Sequence, residues 1–177
     1  MPTLRSVVTL LSAGLLLACS GEPTDKHLLA PPLRLSEIPD NAAGPSASGQ
    51  AIVLQQPTGA LRNFAFHARR MPDGTVAGEY ENHNRQGAAT NHGDVDCLRF
   101  VGTNVAVMSG TITRHTNPLL EGGRSIFTVQ DNGEGSGAAP DKVSVLWLFP
   151  AGSTVDCQTF APLANLPLIG GNIRVDP

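Results

Sequence analysis

The sequence lacks the features on which most functional assignments rest. It contains only six Phe, one Tyr and one Trp among 177 residues, so it offers a poor stacking platform for sugars or nucleobases. Its formal net charge is −3, whereas a domain that binds nucleic acid presents a basic patch. Beyond Cys19, the richest apolar run, Val143 to Phe149, is far shorter than the roughly 20 residues of a membrane-spanning helix. The composition therefore argues against nucleic acid as a partner.

Catalytic motifs are also missing. The chain has no Gly-x-Ser-x-Gly nucleophile elbow and no His-Glu-x-x-His zinc motif. No segment of ten or more residues after Cys19 has a helical period on which such motifs are built. Gly133-x-Gly135-x-x-Ala138 has the spacing of a dinucleotide fingerprint, but that motif needs a strand that opens into a helix. The sequence therefore favours a protein that is not an enzyme.

The first 19 residues have the pattern of an export signal. Arg5 gives a short positive segment, and the apolar stretch from Val7 to Ala18 is too short to span a bilayer as a stable helix. The stretch ends in Leu16-Leu17-Ala18-Cys19, which resembles the lipobox of bacterial lipoproteins. In that family the cysteine thiol receives a diacylglyceryl group, the signal peptide is cut off before the cysteine, and the new amine is acylated. An ordinary secretory signal with an incidental cysteine is the alternative.

The lipobox resemblance implies that residues 1–18 are removed and that Cys19 carries acyl chains such as palmitate. Several chains on one residue anchor a protein stably, whereas one chain binds a membrane only marginally. Ser20 stands where enteric lipoproteins that stay in the inner membrane have Asp. The resemblance therefore implies a lipid-anchored protein of the bacterial cell envelope, at the outer membrane.

The other two cysteines, Cys97 and Cys157, form an even pair in an oxidising compartment. Each follows a Val-Asp dipeptide, so the two lie in the same local setting. We interpret them as a disulfide. Two buried free thiols are the alternative, and a metal site on these two cysteines lacks the close-spaced partners that such sites use.

A change in composition near residue 49 divides the mature chain. Residues 19–48 predict a flexible tether, because they are rich in Pro, Ser and Gly. Residues 49–177 contain short β-rich runs separated by Gly, Asn, Asp and Pro, which predict an antiparallel β-barrel or sandwich of about eight strands. The predicted strands lie near residues 50–55, 60–69, 75–82, 94–101, 104–114, 124–131, 142–149 and 171–176.

Alternation within the runs assigns side chains to faces. Phe64, Phe66 and Ala68 alternate along one predicted strand and should share a face. A second alternating set comprises Val143, Val145, Trp147 and Phe149. Met71-Pro72-Asp73-Gly74 predicts a hairpin turn, since Asp-Gly supplies the positive φ that such a turn requires.

Three stretches resemble a small all-β domain that recurs in secreted and surface-anchored bacterial proteins. They are residues 95–102 running into residues 106–110, residues 127–134 with Asp141 beyond them, and residues 170–175. The resemblance covers about residues 49–176, implies a β-barrel-like fold and brings no catalytic residues with it. Members of that family usually have Pro-Gly where this chain has Gly135-Ser136.

The best candidate for a ligand site is Asp131-Asn132-Gly133-Glu134 with Asp141 beyond it. Carboxylate and amide oxygens spaced around a glycine are the hard ligands that calcium prefers. Asp131, Asn132, Glu134 and Asp141 are therefore candidate calcium ligands, although their spacing is not that of an EF-hand. The alternative is a turn in which Asp and Asn bond their own backbone and Gly takes a positive φ. No other cofactor is implied.

These observations favour a non-catalytic module, a β-domain on a lipid tether that serves binding or structure at the cell envelope. One version takes a small apolar ligand at the mouth of a barrel, as lipocalins do; another version binds an envelope protein. The rival hypothesis is an envelope enzyme, a metal-assisted hydrolase that uses the Asp131–Asp141 loop.

The substitution Cys19→Ala tests the anchor. We expect the wild-type protein to carry the mass of the acyl groups and to partition with membranes, because only the cysteine thiol accepts the lipid. The variant should lack that mass and leave the membrane fraction. Intact-mass spectrometry and detergent phase partitioning measure both properties. A variant with unchanged mass and unchanged partitioning would contradict the lipoprotein prediction.

Overall fold

The computed structural model describes residues 44–177, apart from residues 88 and 136. The predicted signal peptide, the predicted lipidation site Cys19 and nearly all of the predicted tether lie outside the described residues. Among the residues that are described, no helix is long and apolar enough to cross a membrane.

The described part of the chain folds into nine β-strands and one short 3-10 helix. β1 begins at Ser46, so the first strand includes residues that the sequence analysis assigned to the tether. The elements are β1 (Ser46–Gln55), β2 (Ala60–Arg70), β3 (Val76–Asn84), β4 (Thr90–Val101), β5 (Val105–His115), the 3-10 helix (Pro118–Leu120), β6 (Arg124–Gln130), β7 (Lys142–Val143), β8 (Trp147–Phe149) and β9 (Leu166–Asp176).

Eight of these strands close into an antiparallel barrel. β1 to β6 pair in chain order, β6 pairs with β7, β7 with β9, and β9 returns to β1, while β8 adds to β6 as the extra strand. The predicted all-β fold of about eight strands is confirmed, in its barrel form. We call the end that contains Ser46, Arg70 and Asp176 the lower end, and the end that contains Gln55 and His115 the mouth.

Aromatic side chains fill the middle of the barrel. The Phe127 ring lies 4.6 Å from the Phe64 ring and 5.7 Å from the Phe66 ring, both edge-on, and 5.6 Å from the Tyr80 ring. Gly93 makes room for Tyr80, because a Cβ at that position would lie 2.4 Å from Tyr80 Cε1. The expected shared face of Phe64, Phe66 and Ala68 is confirmed, since all three belong to the inner core.

The strand formed by β7 and β8 corrects one expectation. Val143 lies opposite Val129 inside the barrel, whereas Trp147 lies opposite Ile126 on the outer face. Three residues of this strand stand between the two pairs where β6 has two, so the strand contains a β-bulge. The bulge reverses the alternation between inside and outside. The prediction that Val143 shares a face with Trp147 was therefore wrong.

A covering segment, residues 150–164, packs on the outside of β5 and β6. Cys157 is fully buried there against Val107 and Ile126. The predicted disulfide between Cys97 and Cys157 is present, with 5.8 Å between the Cα atoms, and it ties the segment to β4. Arg99 Nε also donates a hydrogen bond to Cys157 O at 2.6 Å. The disulfide thus holds a second, smaller apolar cluster closed over the barrel wall.

The double substitution of Cys97 and Cys157 by Ala tests this constraint. The disulfide joins residues separated by 60 positions, for which loop-closure entropy predicts a loss of up to about 4 kcal/mol in the free energy of unfolding. Urea denaturation measures the loss. Reductant should destabilise the wild-type protein and leave the double variant unchanged. Alkylation of both thiols in the denatured, unreduced wild-type protein would contradict the pairing.

Candidate functional site

The predicted calcium loop lies at the lower end, beside the seam between β7 and β9. Asp131 Oδ1 accepts a hydrogen bond from Gly133 N at 2.7 Å, and Asp131 Oδ2 accepts one from Val175 N at 3.1 Å. Asp141 Oδ1 accepts from Asn132 N and Asp141 Oδ2 from Ile173 N, both at 2.8 Å. Every carboxylate oxygen of Asp131 and Asp141 thus receives a backbone N–H.

Two of these hydrogen bonds help to close the barrel. β7 has only two residues, which pair with Leu166 and Pro167, so most of that edge of β9 has no strand beside it. Asp141 O accepts from Leu168 N at 2.9 Å, and the two aspartate side chains take the N–H groups of Ile173 and Val175. The two carboxylates therefore accept the backbone hydrogen bonds of β9 that a neighbouring strand would otherwise accept.

The other two candidate ligands point elsewhere. Asn132 Oδ1 accepts from Gln130 Nε2 at 2.9 Å, and Asn132 Nδ2 donates to Pro140 O. Glu134 is exposed and accepts a hydrogen bond from Asn172 Nδ2 at 3.2 Å. Gly133 has a φ of +82°, as the turn alternative expected. Across the described residues, no three His, Cys, Asp or Glu side chains are grouped as metal ligands. The calcium site stays a prediction.

A cavity of about 160 Å³ lies at the mouth of the barrel. An apolar cavity of this size admits one benzene-sized molecule. Phe64 belongs both to the cavity wall and to the aromatic core, so the cavity lies directly above the aromatic side chains that fill the middle of the barrel. The apolar part of the wall consists of Val53, Phe64, Ala89, Val143, Val145, Leu146, Leu148 and Leu166.

Polar side chains form the other part of the wall. Arg62 Nη1 donates to Asn82 Oδ1 at 3.2 Å, and Arg62 Nε donates to Gln55 Oε1. Asn91 lies next to Asn82 on the paired strand and accepts a hydrogen bond from the Tyr80 hydroxyl at 2.9 Å. Burial raises the pKa of Tyr80 to about 12, so its hydroxyl keeps its proton and remains a donor at neutral pH.

This polar group was not among the site residues predicted from the sequence, although one signal for it was present. Arg62 stands two residues before Phe64 and therefore on the inward face that Phe64 and Phe66 define. A charged residue in phase with a buried apolar face is a candidate site residue. Asn82 and Asn91 gave no comparable signal, because Asn near a strand end is common in turns.

No family model, curated protein or solved structure matches this chain.

The substitution Asp141→Asn tests the barrel-closing role. The amide cannot accept with both of its ends, so either Asn132 N or Ile173 N loses its acceptor in a site where Asp141 is only 7% exposed. We expect the free energy of unfolding to fall by about 1–3 kcal/mol. Urea denaturation measures the change.

Glu134→Ala provides the matched control. This residue belongs to the same loop but is exposed, and its loss should alter stability by no more than about 0.5 kcal/mol. Equal effects of the two substitutions would contradict the closing role. A rise in Tm with millimolar calcium that both variants lose would instead support the calcium site.

Proposed function

We propose that this protein is a lipid-anchored, non-catalytic β-barrel of the bacterial cell envelope that binds a small molecule at its mouth. The observation that carries the proposal is the mouth cavity, which combines an apolar wall with a polar corner formed by the partly buried Gln55 and Arg62 and the buried Asn82 and Asn91. Ligand sites in proteins have this composition, in which the apolar surface supplies affinity and a few polar groups fix orientation. The lipobox resemblance at Cys19 supports the anchor.

The polar corner supports binding over catalysis. Its members are a guanidinium, which stays protonated, and the amides of Gln55, Asn82 and Asn91, which do not titrate. General acid–base catalysis needs a group that exchanges a proton near the working pH. His115 also lines the cavity, but its Nδ1 already accepts a hydrogen bond from Asn117 N at 2.8 Å.

The position of the cavity fits a receptor on a tether. The chain joins the barrel at the lower end, where Pro45 O accepts a hydrogen bond from Arg70 N. β1 then runs the length of the barrel, and its last residue, Gln55, lines the cavity. A ligand therefore enters at the end of the domain opposite to its attachment point.

Benzyl alcohol is a suitable probe, because its ring matches the cavity. We expect it to bind with a Kd of about 1 mM or tighter, which requires only about 0.5 kcal/mol from each non-hydrogen atom. NMR titration should shift the methyl signals of Val53, Val143 and Leu146. Leu148→Trp, which places an indole in the mouth, should abolish these shifts.

Leu163→Trp is the matched control, since the same substitution at a residue 79% exposed on the outer surface should leave binding unchanged. Shifts that persist in Leu148→Trp, or that are confined to the outer surface, would reject the mouth as the binding site.

A further inference from the structure

Arg62 brings a positive charge to the inner face of the barrel. It follows the alternation of Phe64 and Phe66 along β2, and it is partly buried. Its two hydrogen-bond acceptors, Gln55 Oε1 and Asn82 Oδ1, are neutral amide oxygens. The guanidinium is therefore held in place without being neutralised.

No carboxylate offsets this charge within the part of the chain that the structure describes. The cavity wall includes no Asp or Glu, and Arg62 takes part in none of the Arg–Asp ion pairs and His–Glu contacts of the described residues. Burial lowers the pKa of the Arg62 guanidinium from its usual value, which is the effect of removing a cation from water without supplying an anion. An anion at the mouth would provide the missing partner.

Asn91 provides a second donor beside it. The residue is only 4% exposed, and its Oδ1 is occupied by the Tyr80 hydroxyl. Its Nδ2 has no hydrogen-bond partner among the described residues. A buried N–H without an acceptor is unfavourable. Asn91 pairs across β3 and β4 with Asn82, the residue that also holds Arg62, and both asparagines line the cavity.

We propose that the mouth binds a small monocarboxylate with an apolar body. The carboxylate accepts hydrogen bonds from Arg62 and Asn91, and the apolar body packs against Val53, Leu146 and Leu148. This inference rests on the proposed function and adds the chemical class of the ligand.

The single guanidinium decides between a carboxylate and a phosphate. Arginine binds a carboxylate through parallel hydrogen bonds, and the charges of the pair cancel. A phosphate dianion would bring a second negative charge into a partly desolvated site that has no further cation. It would also leave the apolar wall formed by Val143, Leu146 and Leu166 without a contact.

Three probes separate these possibilities: benzoate, benzyl alcohol and inorganic phosphate. Benzoate and benzyl alcohol share the ring and differ in charge. In NMR titrations of the wild-type protein at neutral pH, benzoate should bind roughly 10- to 100-fold more tightly than benzyl alcohol, the ratio that a hydrogen bond to a charged group supplies. Phosphate should leave the mouth signals unshifted.

Variants of Arg62 test whether this residue causes the preference for benzoate over benzyl alcohol. Arg62→Met keeps an unbranched side chain and removes the charge, so the ratio of benzoate affinity to benzyl alcohol affinity should fall from roughly 10- to 100-fold to about 1. Arg62→Lys keeps the charge without the planar fork and should restore part of the advantage. Arg174→Met is the matched control, because Arg174 is exposed, lies at the lower end and pairs with Asp176.

The outcomes distinguish this inference from the proposed function. Equal affinities for benzoate and benzyl alcohol, or a benzoate preference that survives in Arg62→Met, would overturn the carboxylate assignment and leave a binding mouth in place. Stronger binding of phosphate than of benzoate would overturn it as well. Failure of both aromatic probes to bind the wild-type protein would reject the proposed function together with this inference. Thermal unfolding verifies that each variant folds. If Arg62→Met does not fold, Arg62→Lys provides the test, because its preference for benzoate should be smaller than that of the wild-type protein.

Discussion

The closure of the barrel depends on how the free edge of β9 is satisfied. A sheet becomes a barrel only when its last strand finds hydrogen-bond partners on both edges. β1 satisfies one edge along nearly its whole length, but the two residues of β7 satisfy only the beginning of the other. Asp131 and Asp141 supply two further acceptors from their side chains, for Ile173 N and Val175 N. Each also binds a backbone N–H of its own loop, so the loop and the seam hold each other in place.

The same short β7 shapes the mouth. Because the pairing with β6 passes through a β-bulge, the strand changes which face it turns inward. Leu146 and Leu148 then join Val143 in the cavity wall, while Trp147 turns outward and contacts Phe160 with 5.6 Å between ring centroids. The hollow at one end of the barrel and the aspartate closure at the other are thus two consequences of one interrupted strand.

Local patterns predicted the parts of this fold that local chemistry determines. The strand runs, the Asp73-Gly74 turn with Gly74 at a φ of +84°, and the pairing of Cys97 with Cys157 could all be anticipated. The bulge could not, because it depends on the register between β6 and a strand distant along the chain. Hollowness could not be predicted either, since it depends on the summed volume of side chains from eight strands. The inward orientation of Arg62 could be predicted from its alternation with Phe64. Its partial burial could not, because a residue near a strand end is buried only when the barrel closes around it.

Arg62 is the residue that stability alone does not explain. The other positions of β2 in phase with Arg62 are Ala60, Phe64, Phe66 and Ala68, all buried and apolar, and Arg70 at the lower end, whose guanidinium donates to Leu98 O. A guanidinium in this series loses hydration without gaining a counter-charge, and an apolar side chain of similar volume is often neutral or favourable at such a position. Residues that break the local pattern in this way are concentrated at binding and catalytic sites. Asn91 lies in the same cavity wall and is a second exception of this kind. Its buried amide also offers a donor that lacks an acceptor. Two donors left incomplete around one cavity with an apolar wall are better explained by a ligand that accepts from both than by two separate defects of packing.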